Sequence, residues 1–269
     1  MTWRPYLHVS SFVHLPSLLG NPAAVILLPP GAWPADETLL RTAAELNLSE
    51  TSFLQARDPA TAAAAEEEAA FSTSSVFNLR WFSPKKEVSM CGHGTLAAAH
   101  ALFSWRRNPS PALTFHTLSG PLEVRREGSG GGGAAAAQPT SRARMCFPEM
   151  RPAPRDPAEP LVAALAAALL GAAPPFAILS AHYSADARKL LLVAPPGSGA
   201  AIAALAPSMA ALLAVPQGGE GAPVEGVTLT ARAGAGDALA GAGGAPAAAP
   251  HFVQRYWSPW NLPSGEVPV

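Results

Sequence analysis

Short runs of β-branched and aromatic residues recur along the chain and predict strands. Residues 23–28 follow Gly20-Asn21-Pro22, a turn signal. Residues 77–82 alternate, which places Phe77, Leu79 and Trp81 on one face of a strand. Residues 113–115 and 122–124 flank Ser119-Gly120 and predict a hairpin. Residues 190–193, 227–229 and 252–257 complete the set.

Helical patterns are fewer. Residues 34–46 open on Pro34-Ala35-Asp36, with Asp36 placed to cap a helix. Residues 92–105 carry Leu96, Ala99, Leu102 and Phe103 with small or apolar neighbours on nearly every side. A helix of that kind is buried all round. Residues 158–170 predict an Ala-rich buried helix, and residues 200–213 another that Pro207 breaks or kinks.

Two low-complexity stretches, residues 127–141 and 231–250, are built of Gly, Ala and Pro. Neither offers enough apolar surface to offset its ordering entropy, so both are expected outside the ordered core. The first divides the chain into a domain at residues 1–127, a linker or insertion at 128–142, and a domain at 143–269. The halves also echo each other: Trp81-Phe82-Ser83-Pro84 recurs as Tyr256-Trp257-Ser258-Pro259. That repeat suggests a duplicated domain.

Composition narrows the function classes. The 269 residues suffice for about two domains, and 49% hydrophobic with 14% charged content is a globular balance. A net charge of -1 lacks the basic footprint of a nucleic-acid partner. No apolar stretch reaches the roughly 18 residues of a membrane span. Two cysteines make no disulfide framework, and with no secretory leader the expected home is the reducing cytoplasm.

Three residue groups offer chemistry. Glu50, in Asn47-Leu48-Ser49-Glu50-Thr51, stands at a helix-to-strand turn among apolar residues. Burial there raises a carboxylate's pKa and suits general acid/base work; a loop position on the surface gives no such role. Met90-Cys91-Gly92-His93-Gly94-Thr95 follows a strand and opens the buried helix. Its glycines and free N–H groups suit a substrate carboxylate, with His93 adding a hydrogen bond or proton. The same run also reads as a tight turn whose histidine satisfies the backbone. Cys91 at a helix N-terminus admits a third reading, a thiol of lowered pKa as in two-cysteine racemases. The second cysteine, Cys146, lies in no glycine turn and reads as a core filler.

With these residues identified, the chain resembles the phenazine-biosynthesis-like (PhzF-like) isomerase family. The resemblance rests on Gly20-Asn21-Pro22-Ala23-Ala24-Val25, on Asn47 to Thr51, and on Leu79-Arg80-Trp81-Phe82-Ser83-Pro84 with Glu87 to His100. It continues through Thr114-Phe115-His116, Ser119-Gly120-Pro121-Leu122 and Phe252 to Trp260. It implies an α+β fold of the diaminopimelate-epimerase-like kind, two similar domains each with a curled sheet around a central helix. It implies cofactor-free isomerisation of a small carboxylic acid, with no metal. Glu50 would move the proton, and Gly92, His93 and Gly94 would bind substrate. Family members are often dimers, so a homodimer is compatible.

One departure qualifies these expectations. The family continues from Ser-Pro-Trp into Asp-Pro-Val-Thr-Gly-Ser-Ala-His, whereas this sequence reads Glu266-Val267-Pro268-Val269. A C-terminally truncated member is therefore expected, its second domain lacking the central helix and one wall of the site. Such a chain is either an isomerase or a catalytically impaired relative that binds a ligand or protein.

Overall fold

The buried carboxylate is positioned by a strand covered on both faces. In the computed structural model, which describes residues 5–14, 19–57, 67–127, 143–217, 223–234, 251–261 and 266–267, that strand is β3 (Glu50–Ala56). Every one of its residues is buried. It belongs to the first of two compact units, Met1–Val13 with Leu19–Pro148; the second is His14–Leu18 with Glu149–Val269.

The sheet of the first unit runs β1 (Tyr6–His14), β2 (Leu19–Leu27), β3, β4 (Val76–Phe82), β6 (Ala112–Thr117), β7 (Gly120–Arg126), β8 (Ala143–Met145), with β5 (Glu87–Val88) paired to β4. β2 and β3 are parallel, β3 and β4 antiparallel, and β4 and β6 parallel. The remaining elements are α1 (Asp36–Leu46), α2 (Glu67–Thr73) and α3 (Gly92–His100), which runs on into a π-helical turn at Ala101–Trp105. The predicted hairpin is β6–β7, closed at Thr117↔Gly120.

Strand periodicity sorts the two faces. Leu54, Ala56, Phe77, Leu79, Trp81, Phe115, Leu122 and Val124 pack with Ala97, Ala98, Ala99 and Leu102 of the helix segment. Those helix residues are almost fully buried, as the apolar pattern predicts, but the burial is not all round: His100, Ser104 and Trp105 toward the end of the segment are exposed. On the opposite face Ile26, Leu28, Phe53 and Phe82 pack with Leu39 and Ala43 of α1.

Asp36 is not the cap of α1. Ala35 holds that position without a side-chain bond, and Asp36 is the first helical residue. Its carboxylate is drawn across to Arg80 of β4 at 2.9 Å. Arg80 also forks onto Glu87 at 2.6 and 2.7 Å and stacks over Trp33 and Phe82. At the other end of α1, Asn47 adopts φ 49°, ψ 36° and donates its N–H to the Ala43 carbonyl. Asparagine tolerates that left-handed conformation, which turns the chain into β3 within three residues.

The second unit has a sheet ordered β14 (Glu266–Val267), β13 (Phe252–Trp257), β12 (Gly226–Arg232), β11 (Lys189–Val193), β10 (Ser180–Ser184), β9 (Ala153–Arg155). Three helices, α4 (Pro160–Leu170), α5 (Gly199–Ala204) and α6 (Met209–Leu213), cover one face. Val162, Leu165, Leu169, Ile202 and Leu212 pack there with Leu190, Leu192, Val227, Leu229 and Trp257. The predicted break at Pro207 separates α5 from α6. On the other face Leu191, Val193, Thr228 and Thr230 are partly exposed, and no helix covers them among the described residues.

Three sequence expectations need correction. α4 is buried along one stripe, not all round, because a sheet lies against only one of its sides. Cys146 is exposed: β8 ends at Met145, so Cys146 lies just past the strand rather than in the core. Ala231, placed outside the core by its composition, is 1% exposed, because β12 runs on to Arg232. The stretches at 128–142 and 235–250 lie outside the described residues. The chain stays with the first unit through β8, which pairs with β7.

The four-residue echo extends to strand register. β3–β4 pairing places Thr51 opposite Phe82, and β12–β13 pairing places Val227 opposite Trp257. Trp81↔Val88 and Phe82↔Glu87 recur as Tyr256↔Val267 and Trp257↔Glu266. In both units a parallel pair, β2–β3 or β11–β12, precedes the antiparallel one.

Candidate active site

Alternation along β3 sends Glu50, Ser52, Leu54 and Ala56 toward α3. Glu50 is thereby delivered to the N-terminus of that helix. Among the described residues, Glu50, Cys91 and His93 form a cluster whose side-chain ligand atoms all lie within 4.8 Å of one another. They are 7%, 6% and 9% exposed. The structure thus brings together Glu50 and the Cys91-Gly92-His93-Gly94 turn, two features more than forty residues apart in sequence.

Cys91 caps α3: its Sγ accepts from the Gly94 N–H at 3.4 Å, and its carbonyl accepts from the Thr95 hydroxyl at 2.6 Å. Each glycine is explained by close approach. A Cβ on Gly94 would lie 2.9 Å from Ser52 Oγ and 3.0 Å from both Cys91 Sγ and Trp81 Cδ1. A Cβ on Gly92 would lie 2.7 Å from the Phe147 ring. The buried Ser52, Cys91 and Trp81 side chains therefore demand glycine at position 94, whereas at position 92 the obstacle is the ring tip of the half-exposed Phe147.

The hydrogen bonds define the protonation of His93. Ser49 Oγ donates to the Pro22 carbonyl at 2.7 Å or to Asn21 Oδ1 at 3.0 Å. Its lone pair faces His93 Nε2 at 3.1 Å, so Nε2 carries the hydrogen. Nδ1 is then the acceptor and faces Cys91 Sγ at 3.3 Å. Burial lowers the His93 pKa from 6.5 to about 4, so the ring is neutral at neutral pH. Ser11 Oγ donates to the His93 carbonyl at 2.9 Å and Ser52 Oγ to the Gly94 carbonyl at 3.0 Å, which fixes the turn against β1 and β3.

The thiol behaves opposite to the helix-terminus expectation. Burial pushes the Cys91 pKa well above the usual thiol value, and the neighbouring Glu50 carboxylate pushes it further. The Gly94 N–H acts the other way but is outweighed. Cys91 is a neutral S–H group beside the carboxylate, a poor base, and Cys146 is exposed outside the cluster. The two-cysteine arrangement is absent among the described residues.

Ser49, Asn21, Ser11, Ser52 and Phe147 were not assigned site roles from sequence. Ser49 and Asn21 lie inside the motifs that carry the resemblance; Ser11 and Phe147 give no local signal. The register repeat also shows which position in the second unit corresponds to Glu50. It is Gly226, one residue before Val227↔Trp257. A Cβ there would lie 2.3 Å from the Tyr256 hydroxyl, so Tyr256 occupies the space of a side chain.

Comparison with known proteins agrees with this architecture. The phenazine biosynthesis-like protein family model matches residues 9–238. An uncharacterized isomerase of Pseudomonas aeruginosa is 35% identical over 250 residues, 93% of this chain and 71% of that protein. Phenazine biosynthesis-like domain-containing protein 2 of Mus musculus is 43% identical over 122 residues, 45% of this chain and 38% of its own length. The crystal structure of a PhzF-family phenazine biosynthesis protein of Enterococcus faecalis superimposes with a TM-score of 0.65 at 25% identity, covering 99% of this chain and 77% of that one. The fold is α+β and diaminopimelate-epimerase-like. The chain belongs to the phenazine biosynthesis-like family, over a span that includes Glu50 and the Cys91–Gly94 turn. Among the described residues no helix is long and apolar enough to cross a membrane.

Proposed function

We propose that the chain is an isomerase that moves a proton within a small carboxylic acid, with Glu50 as general acid/base and no cofactor. The observation that carries this reading is the buried Glu50 carboxylate beside the N-terminal turn of α3. Its burial beside the turn puts the carboxylate where it can take a proton from a carbon of a bound acid and return it. The dipole of α3 and the N–H groups of Gly92 and His93 favour the substrate's carboxylate at this turn, whose close fold Gly94 permits. Neutral His93, its Nδ1 lone pair turned to Cys91, keeps positive charge away from Glu50 and leaves the proton transfer to the carboxylate. The isomerase name of the Pseudomonas aeruginosa relative is in keeping with this chemistry.

The test is proton exchange. The protein is incubated in heavy water with a panel of small hydroxy- and amino-carboxylic acids, and carbon-bound deuterium is read by mass spectrometry. At least one acid takes up deuterium with the wild type, and Glu50→Gln lowers the rate by a factor of at least about 100. Equal incorporation by the variant overturns the role of Glu50.

A further inference from the structure

The same cluster has a second chemical capacity. A buried thiol, an imidazole nitrogen and a carboxylate form the donor set of zinc-class cations, and three protein ligands leave a fourth position for water or a substrate oxygen. We propose that Glu50, Cys91 and His93 bind a thiophilic divalent cation of the zinc class, and that its occupancy switches off proton transfer by ligating Glu50.

Two of the three ligands are already spaced as in a formed site, and the third lies within reach. Tetrahedral Zn–S and Zn–N bonds of ordinary length separate sulfur and nitrogen by about 3.6 Å. Cys91 Sγ and His93 Nδ1 are 3.3 Å apart, and the Glu50 carboxylate completes a group within 4.8 Å. The supporting contacts also match. Metal-bound histidines typically donate their other ring N–H to a fixed acceptor, which sets the ligating nitrogen. His93 Nε2 faces Ser49 Oγ at 3.1 Å, and Ser49 is itself anchored on the Pro22 carbonyl. The Gly94 N–H points at Sγ and supports a thiolate. Binding is a simple exchange: the Cys91 S–H bond ionises, its proton goes to solvent, and the sulfur lone pair forms the bond to the cation. No electron transfer is involved.

The test uses Co²⁺ and Zn²⁺ on the Cys146→Ser protein, in which Cys91 is the one remaining thiol. Co²⁺ is expected to bind one per chain, with a sulfur-to-cobalt charge-transfer band and the intense visible bands of a tetrahedral site. About one proton is released per cation, and Zn²⁺ displaces the colour. His93→Gln weakens binding more than about tenfold, and Cys91→Ser removes the charge-transfer band. No charge-transfer band in Cys146→Ser, or a wild-type band that disappears with Cys146, overturns the site without any change at the cluster.

The inhibitory part rests on the acid/base reading of Glu50. Zn²⁺ is expected to stop deuterium exchange and EDTA to restore it. Cobalt spectra with unimpaired exchange overturn the switch. Normal spectra in a protein whose metal-free form exchanges nothing overturn the isomerase reading and leave the cation site standing.

Discussion

Acidification tests the environment of His93 with a magnitude that follows from its burial. In the unfolded chain the imidazole titrates near 6.5; in the fold burial holds it at about 4. The native state therefore binds fewer protons than the unfolded state between these values. Stability is fully present above about pH 6.5 and is lost as pH falls toward 4. The displacement corresponds to about 3 kcal/mol at its full extent, of which about 2 kcal/mol is lost by pH 5. Two measurements follow. NMR of the His93 ring gives its midpoint directly, expected about 4. Urea unfolding of wild type and His93→Gln from pH 7.5 to 4.5, followed by hydrogen exchange at α3 amides, isolates the contribution of this one residue. Other carboxylates and histidines titrate in both proteins and cancel in the difference. A ring midpoint near 6.5, or equal acid sensitivity of the two proteins, refutes both the buried neutral imidazole and the hydrogen-bond assignment built on it.

The remaining predictions concern close packing. Gly94→Ala drives a methyl group into Ser52, Cys91 and Trp81 and costs about 1–3 kcal/mol despite alanine's higher helix propensity, read as a lower urea midpoint. Gly226→Ala collides with Tyr256 and destabilises the second unit; Tyr256→Ala relieves that cost in a double-mutant cycle, whereas a purely backbone origin leaves it unchanged. Arg80→Ala leaves Glu87 and Asp36 without their shared guanidinium and uncovers Trp33 and Phe82, costing about 1–2 kcal/mol by chemical denaturation.

Much of the first unit was legible because its signals are local. The alternation of Phe77, Leu79 and Trp81 gave β4, and the all-round apolar character of residues 92–105 gave the buried helix. Glu50 and the Cys91 turn are readable as motifs, and only the resemblance puts them in one site; the physical cause, parallel β2–β3 pairing with α3 seated on these strands, is not visible in the residues themselves. Of β3 only the start is legible, as the helix-to-strand turn at Glu50, and not its extent to Ala56. Both its faces are covered, so its polar Ser52 and Gln55 are bound to the Gly94 and Pro29 carbonyls rather than marking a solvent face. The sign of the Cys91 shift was misjudged for a related reason. A helix terminus is visible in sequence, whereas burial and a carboxylate from another strand are not. In the second unit, the Ser-Pro echo understated a repeat that becomes clear only in strand register, with Gly226 standing where the first unit carries Glu50.

The central claim is that Glu50, not Cys91, moves the proton. Deuterium incorporation from heavy water into a carboxylic acid turned over by the wild type, compared between Glu50→Gln and Cys91→Ser, tests it most directly. The account predicts that exchange disappears in Glu50→Gln and persists in Cys91→Ser. Exchange that survives in Glu50→Gln and disappears in Cys91→Ser contradicts it.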